Sequence, residues 1–483
     1  MGRAVRVLVS MGTAVLLAGV GALVADIGST GSTAHAVEKP NILFVMTDDM
    51  PERLWNTMPA LRDRVGEKGV RFRDAYVSQS LCCPSRATVL TGKYPHNHGI
   101  TGNGPPNGGE AEFRNSTEDE DTVATSVQAA GYRTALIGNY MNGYTGEYVP
   151  PGWSYWYAQT SPPGGGTANE NGDLVNYSGS FPVTIASKAR AFLDHATDQA
   201  GDPPFMLFYW TTQPHLPANV PSGYNDLFQG AKLPRPPSFD EPDVSDKPAY
   251  IRNRPRLTQD QINQLEADHK TQLRNLAHVD DTLENMLDLL GGRGELANTY
   301  VVFATDNGVH MGQHRYLLPR GSKSTPYEEA ASTPLIIRGP GVARGVVRTQ
   351  LVANNDLAPT FSAWASGSPP ESVDGRSIAP LLSATPPASW RTALLNERHL
   401  IEPDDSPSPN YDALFTASGR RYVEYATGEK EFYDLRTDPY ELTNSYDPTT
   451  TPAGLASRLR ALKTCEANAT PPEVTCQVAE GGQ

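Results

Sequence analysis

The chain has 483 residues, 38% hydrophobic and 19% charged, with a formal net charge of −14. That acidity argues against a nucleic-acid binder, which presents a basic face to phosphates, and it means any anionic substrate has to be drawn in by a local basic pocket. The length exceeds one small core and suits a large domain with a smaller companion, or two to four units.

Residues 1–36 read as a secretory signal. Arg3 and Arg6 give a positive start, Val7 to Ala25 is apolar, and Ala34-His35-Ala36 supplies small residues at a cleavage site. The expected mature chain is secreted, without stable membrane insertion; an uncleaved anchor is the alternative. No cysteine directly follows the apolar run, which argues against a lipid anchor.

"NILFVMTDD" then runs as a buried strand from Asn41 into Asp48 and Asp49, followed by a helix over Pro59 to Lys68. "LCCPSRATVLTG", Leu81 to Gly92, sets Pro84 in a first helical turn and Gly92 at the helix end. Cys82 therefore stands at a helix N-terminus, where free N–H groups and the dipole favour an anion or an ionised nucleophile. Adjacent cysteines rarely meet disulfide geometry, so Cys82 and Cys83 need another explanation. His96 and His98 in "KYPHNHG" are candidates to touch substrate, with satisfied loop histidines as the equal alternative.

A helix follows over Thr122 to Ala130, then the strand "TALIGN", ending at Asn139. The strand "FMLFYWTTQPH" runs from Phe205 to His215, and "YVVFATDNG" runs from Tyr300 into Asp306 and Asn307. Pro/Gly-rich stretches at Gly102 to Gly109, Ser161 to Gly166 and Leu233 to Pro242 read as surface loops. Thr258 to Leu290 has the periodicity of a long amphipathic helix, stopped by Gly291-Gly292, with Asp280 and Asp281 on its solvated face. Continuous apolar strands between helices imply an α/β fold, a mostly parallel sheet sandwiched by helices, whose ligands bind beyond the carboxyl ends of the strands. Residues 37–366 would form this catalytic domain. Residues 367–483 read as a small C-terminal α+β subdomain, with a hairpin over Arg421 to Leu435 and a helix over Ala453 to Lys463. Cys465 and Cys476 can close a short loop there.

Asp48, Asp49, Asp306 and Asn307 offer hard oxygen ligands from two strand ends, which suit calcium or magnesium better than zinc or copper. Cys82-Cys83-Pro84-Ser85-Arg86, followed by Thr91-Gly92, resembles the Cys-X-Pro-Ser-Arg signature of the type I sulfatases, and "LCCPSRATVLTGKYPHNHG" looks particularly like the N-acetylglucosamine-6-sulfatases and extracellular heparan sulfatases. The resemblance implies an alkaline-phosphatase-like fold and conversion of Cys82 to formylglycine by a maturation enzyme. It implies calcium, with Mg2+ as the lesser choice, near the hydrated aldehyde of residue 82. The substrate would be a sulfated carbohydrate or small sulfate ester. His215 matches the leaving-group acid and Lys323 the sulfate-binding lysine; Arg86 would help hold formylglycine and sulfate, and Asp306 would orient the attacking hydroxyl. His310 and His314 would line the pocket or brace the metal ligands.

Asn139 departs from the family, which has a sulfate-binding lysine there. The change removes a unit charge from a site where one such contact is worth about 2–3 kcal/mol, implying a slower or redirected enzyme before a dead one. The base that expels sulfate is left open among His96, His98 and His310. The alternatives are an arylsulfatase, a phosphomonoester or phosphonate hydrolase of the same superfamily, and a non-catalytic sulfoglycan-binding relative.

Overall fold

The computed structural model describes residues 39–160, 165–199, 201–318, 322–401, 406–467 and 475–482. The targeting segment 1–36 and most of the loop predicted over Ser161 to Gly166 lie outside them. The four apolar runs become neighbours in one ten-stranded sheet, in the order Thr299–Thr305, Asn41–Thr47, Phe205–Trp210 and Arg133–Gly138. All four are parallel, so their carboxyl ends share one edge. Shorter strands extend both sides, among them Leu335–Arg338 running antiparallel beside Thr299–Thr305.

These strands are continuously apolar because both faces are covered. Along Asn41–Thr47, Ile42, Phe44 and Met46 enter one hydrophobic layer with Phe208, Trp210 and Phe361. Leu43 and Val45 enter the opposite layer with Leu207, Tyr209 and Val301. Each such side chain, fully removed from water, contributes about 1.5–3 kcal/mol. The strands are consequently stiff supports for the polar residues just beyond them.

The helix Gln259–Gly292 packs Leu276, Val279, Leu283 and Leu287 against the second layer. It passes through both glycines predicted to stop it; the left-handed residue comes at Gly294, with φ of 81°. Asp280 also corrects the sequence reading. It is 5% exposed and accepts the Ala60 and Leu61 backbone N–H groups, each at 2.9 Å, thereby capping the helical turn Leu61–Gly66. Asp281 does remain exposed, with the Tyr224 hydroxyl at 2.7 Å.

Near the C-terminus, strands Ala393–Arg398, Tyr411–Thr416, Arg420–Tyr425 and Lys430–Asp434 form an antiparallel sheet in chain order. One face packs on helix Ala453–Leu462 and on the Cys465–Cys476 disulfide. Its other face meets Tyr76, Ala331, Leu351 and Ala353.

Candidate active site

The two acidic strand ends are laced together by backbone. The Asp306 N–H donates to the Thr47 carbonyl at 3.1 Å, and the Asp49 N–H donates to Asp306 Oδ1 at 3.1 Å. Asp49 adopts φ of 54°, a left-handed conformation that aspartate tolerates better than most residues. Gln213 fixes the same turn by accepting the Asp48 N–H at 3.0 Å, while its own amide is held by Asn275 and His278 from the long helix. Sequence reading gave Gln213, Asn275 and His278 no role.

Cys82 begins the helix Cys82–Thr91, all of whose residues are buried. A one-residue step along a helix turns the side chain by about 100°, which separates the paired thiols. Cys82 Sγ faces the acidic cluster, 2.7 Å from Lys323 Nζ and 3.7 Å from Asp48 Oδ1. Cys83 Sγ enters the apolar layer, 3.5 Å from Met141 Sδ. Burial, reinforced by the surrounding carboxylates and opposed by Lys323, pushes the Cys82 thiol well above its usual range.

One turn on, Arg86 is 1% exposed and fully engaged. Its Nη2 donates to Asp48 Oδ2 at 2.8 Å and Asp306 Oδ2 at 2.9 Å, while Nη1 donates to the Asn139 and Tyr140 carbonyls. Arg86 therefore works as a clamp between strand ends, its donors turned to carboxylates and carbonyls. Ser85 assists by donating to the Asp306 carbonyl and accepting from Asn354 Nδ2 at 3.0 Å.

Lys323 Nζ bridges Cys82 Sγ and Asp49 Oδ1, the latter at 2.5 Å. Although burial opposes charge on this amine, Asp49 and its neighbours hold the ammonium well above the ordinary lysine range. His215 Nε2 lies 3.4 Å from Asp49 Oδ2, with the ring about one-third exposed. Asn139 Nδ2 lies 3.3 Å from Asp48 Oδ2; turning the amide over lets its oxygen accept from Arg86 Nη1 at 2.8 Å. The asparagine thus joins the site by hydrogen bonds alone.

Burial raises Asp48, but Arg86, His215 and Lys323 outweigh it and hold this carboxyl below its usual value. Asp306 goes the other way, to about 7, because burial and the Asp48 charge exceed the help from Arg86. Asp49 Oδ2 and Asn307 Oδ1 are buried with no hydrogen-bond partner, and Asp48, Asp49 and Cys82 fall into one cluster able to hold an ion, together with His215. Unpartnered buried oxygens are costly unless something electropositive faces them. The all-oxygen set of Asp48, Asp49, Asp306 and Asn307 suits a hard divalent cation such as calcium or magnesium.

Other candidates fall elsewhere. Ten helical residues span about 15 Å, so the helix leading away from Cys82 delivers His96 and His98 to its far end. His96 Nδ1 pairs with Glu397 at 2.8 Å and its Nε2 meets the Cys465 carbonyl, which makes it a brace to the C-terminal sheet. His98 is 2% exposed and bonded to Thr88 Oγ1; burial lowers it to about 3 and keeps it neutral. Both are corrected from substrate-contact candidates to structural histidines. His310 Nε2 bonds Thr325 Oγ1 at 2.8 Å, and its backbone N–H holds the Ser322 carbonyl beside Lys323. His314 pairs with Glu241 at 2.7 Å, with Glu329 3.6 Å away.

With this geometry in view, comparison with known proteins is specific. A family model described as Sulfatase matches residues 40–368, and one described as N-sulphoglucosamine sulphohydrolase, C-terminal, matches residues 312–464. N-acetylglucosamine-6-sulfatase of Homo sapiens is 30% identical, over 85% of this chain and 82% of that protein. The extracellular sulfatase SULF-1 homolog of Drosophila melanogaster is 34% identical, over 73% of this chain and 32% of that protein. A solved structure in complex with its substrate D-glucosamine-2-N,6-O-disulfate superposes with a TM-score of 0.74 at 23% identity, covering 88% of this chain and 97% of that one. The phosphonate monoester hydrolase of Silicibacter pomeroyi shares the fold with a TM-score of 0.68 at 23% identity, covering 87% and 94%.

Proposed function

The chain belongs to the sulfatase family, whose members are sulfuric ester hydrolases, and from that premise we propose that it is a secreted enzyme acting on N-acetylglucosamine-6-sulfate or a glycosaminoglycan-type sulfate ester through formylglycine made from Cys82. The observation that carries this reading is the convergence of Cys82 Sγ, Lys323 Nζ and Asp49 at the shared strand edge. Two similar proteins, an N-acetylglucosamine-6-sulfatase and one solved in complex with its substrate D-glucosamine-2-N,6-O-disulfate, support the sugar. Among the described residues no helix is long and apolar enough to cross a membrane, which is compatible with export.

The hydrated aldehyde of residue 82 has two hydroxyls. One would attack sulfur, passing its proton to Asp306, while the S–O bond to the sugar breaks and His215 gives a proton to the departing alkoxide, so that the alcohol leaves free. The second hydroxyl would then give its proton to His215, left neutral by the first step, its C–O bond would become the aldehyde carbonyl as sulfate departs, Asp306 would release its proton to solvent, and water would restore the diol. Lys323 holds a sulfate oxygen throughout, and Arg86 keeps Asp48 and Asp306 in register. A divalent cation bound by Asp48, Asp49, Asp306 and Asn307 would withdraw charge from the sulfate oxygens as a Lewis acid.

Two measurements test the proposal. Mass spectrometry of the Cys82 peptide, after secretion from a host with a formylglycine-generating enzyme, should show the aldehyde; an unmodified thiol in protein that releases sulfate would overturn the mechanism. Paired assays on N-acetylglucosamine-6-sulfate, an aryl sulfate and an aryl phosphate should rank the sugar sulfate first. A dominant phosphate activity would instead favour the phosphoester or phosphonate reading.

A further inference from the structure

A cleft of about 280 Å³ reaches the acidic cluster, its lining including Asp49, His310 and Ser322. Its size is near the lower end of the ~300–1,000 Å³ typical of small-molecule sites, enough for a single ring. Leu216 and Pro217, the two residues after His215, form one apolar lip. Leu317 and Leu318, on the loop preceding Lys323, form the other. Both lips therefore belong to loops that carry candidate catalytic side chains.

The long helix adds a polar stripe to the same lining. Gln264, Asp268 and Gln272 recur every four residues, so they share one face and descend from exposed through half-buried to buried. Gln264 Nε2 holds Asp268 Oδ1 at 2.8 Å. Gln272 is 1% exposed, and its Oε1 has no hydrogen-bond partner. A helix glutamine ordinarily reaches water, so an orphaned buried acceptor facing a cleft signals a missing donor.

We infer that this cleft seats the pyranose ring that departs with the alkoxide, its apolar face between the leucine and proline lips and a ring hydroxyl donating to Gln272 Oε1. The leaving oxygen has to lie on the His215 side of the sulfur, and the cleft is lined both by Asp49, 3.4 Å from His215, and by the two residues that follow His215. A sugar ring offers what the walls demand, a hydrophobic C–H face and hydroxyls at its edge. Asp268 and Gln264, at the open end, meet the more distant hydroxyls or the next sugar. This assignment rests on the amino-sugar substrate proposed above.

The test compares kcat/KM for N-acetylglucosamine-6-sulfate with that for a small aryl sulfate. Replacing the acceptor in Gln272→Leu should lower the sugar-to-aryl ratio about tenfold or more, chiefly through KM, because the contact already exists in the bound ground state. Gln272→Glu, which retains an acceptor at the same reach, should recover most of the ratio. If Gln272→Leu does not fold, Asp268→Ala and Gln264→Ala at the open end carry the comparison, with a severalfold fall expected. Wild-type protein that releases sulfate from the aryl ester and from no amino-sugar sulfate sinks the substrate reading and this assignment together. Turnover of both substrates by wild type, with ratios unmoved in the variants, sinks the cleft assignment alone.

Discussion

The contact between His96 and Glu397 makes a quantitative prediction that separates a brace from a substrate ligand. Burial by itself would lower His96, but the Glu397 carboxylate at 2.8 Å overrides it and raises the imidazole to about 9. A histidine raised on folding contributes stability fully below its unfolded value of 6.5 and loses it as pH climbs through about 9. At about 1.4 kcal/mol per pH unit, the gap sets an upper bound of about 3 kcal/mol for a ring only 17% exposed. His399, 3.4 Å from the same Glu397, takes over part of the charge when His96 is gone, so the realised loss in His96→Gln should be about 1–2 kcal/mol. Guanidinium unfolding of wild type and His96→Gln across this window should show wild type losing stability with rising pH and the variant responding less steeply, with KM for a sulfate ester unchanged. A variant that keeps the wild-type stability and pH slope while losing substrate affinity would refute the bracing assignment.

Three further outcomes follow from the same geometry. In His215→Ala, the loss of kcat should reach about 10²–10⁴-fold for a sugar sulfate, whose alkoxide needs a proton, and be at least tenfold smaller for a nitrophenyl sulfate, as a leaving-group series would reveal. Lys323→Met removes the ammonium shared by Asp49 and residue 82 and should lower kcat/KM by about 10²–10³-fold, read by sulfate release, with Lys323→Arg failing to restore it because a planar fork cannot occupy a point-charge position. Chelation of divalent ions should abolish turnover and lower the thermal midpoint, since saturation at about 100 times Kd contributes about 2.7 kcal/mol; calcium should restore both better than zinc in calorimetry and activity assays.

The four central strands were legible because burial on two faces leaves no polar alternation, and their polar endings marked the edge where the site forms. The separation of Cys82 from Cys83 was also implicit, since successive helical residues point in different directions. His96 and His98 misled because closeness in sequence to a nucleophile says little once a rigid helix of about 15 Å intervenes. The partners of His96 are Glu397 and Cys465, hundreds of residues away, which local spacing does not reveal, while His98 turns back to Thr88 on the nucleophile's own helix. Asp280 misled for the opposite reason, and Gln272 drew no notice for the same one. A charged or amide residue on an amphipathic helix reads as solvated, yet here one caps a distant turn and the other faces a cleft. Gln213 carried no signal at all, because its task is to present a carbonyl oxygen to Asp48.

The charge balance of the site explains why an acidic protein can still take an anionic ester. Asp48, Asp49 and Asp306 set three carboxylates against two permanent cations, Arg86 and Lys323, so these five groups alone are negative when all are ionised. Burial displaces Asp306 upward first, and the charges of Asp48 and Asp49 add to it. Adding one divalent ion reverses the sign, and a protonated His215 at the rim carries it further. Arg86 is occupied in holding carboxylates and Asn139 brings no charge, so on the proposed mechanism the attraction for sulfate would fall on Lys323, the ion and His215. On the proposed mechanism, where the family pattern has a second lysine this chain would depend on a divalent ion more heavily, and occupancy of the acidic cluster would become the condition for binding substrate as well as for turning it over.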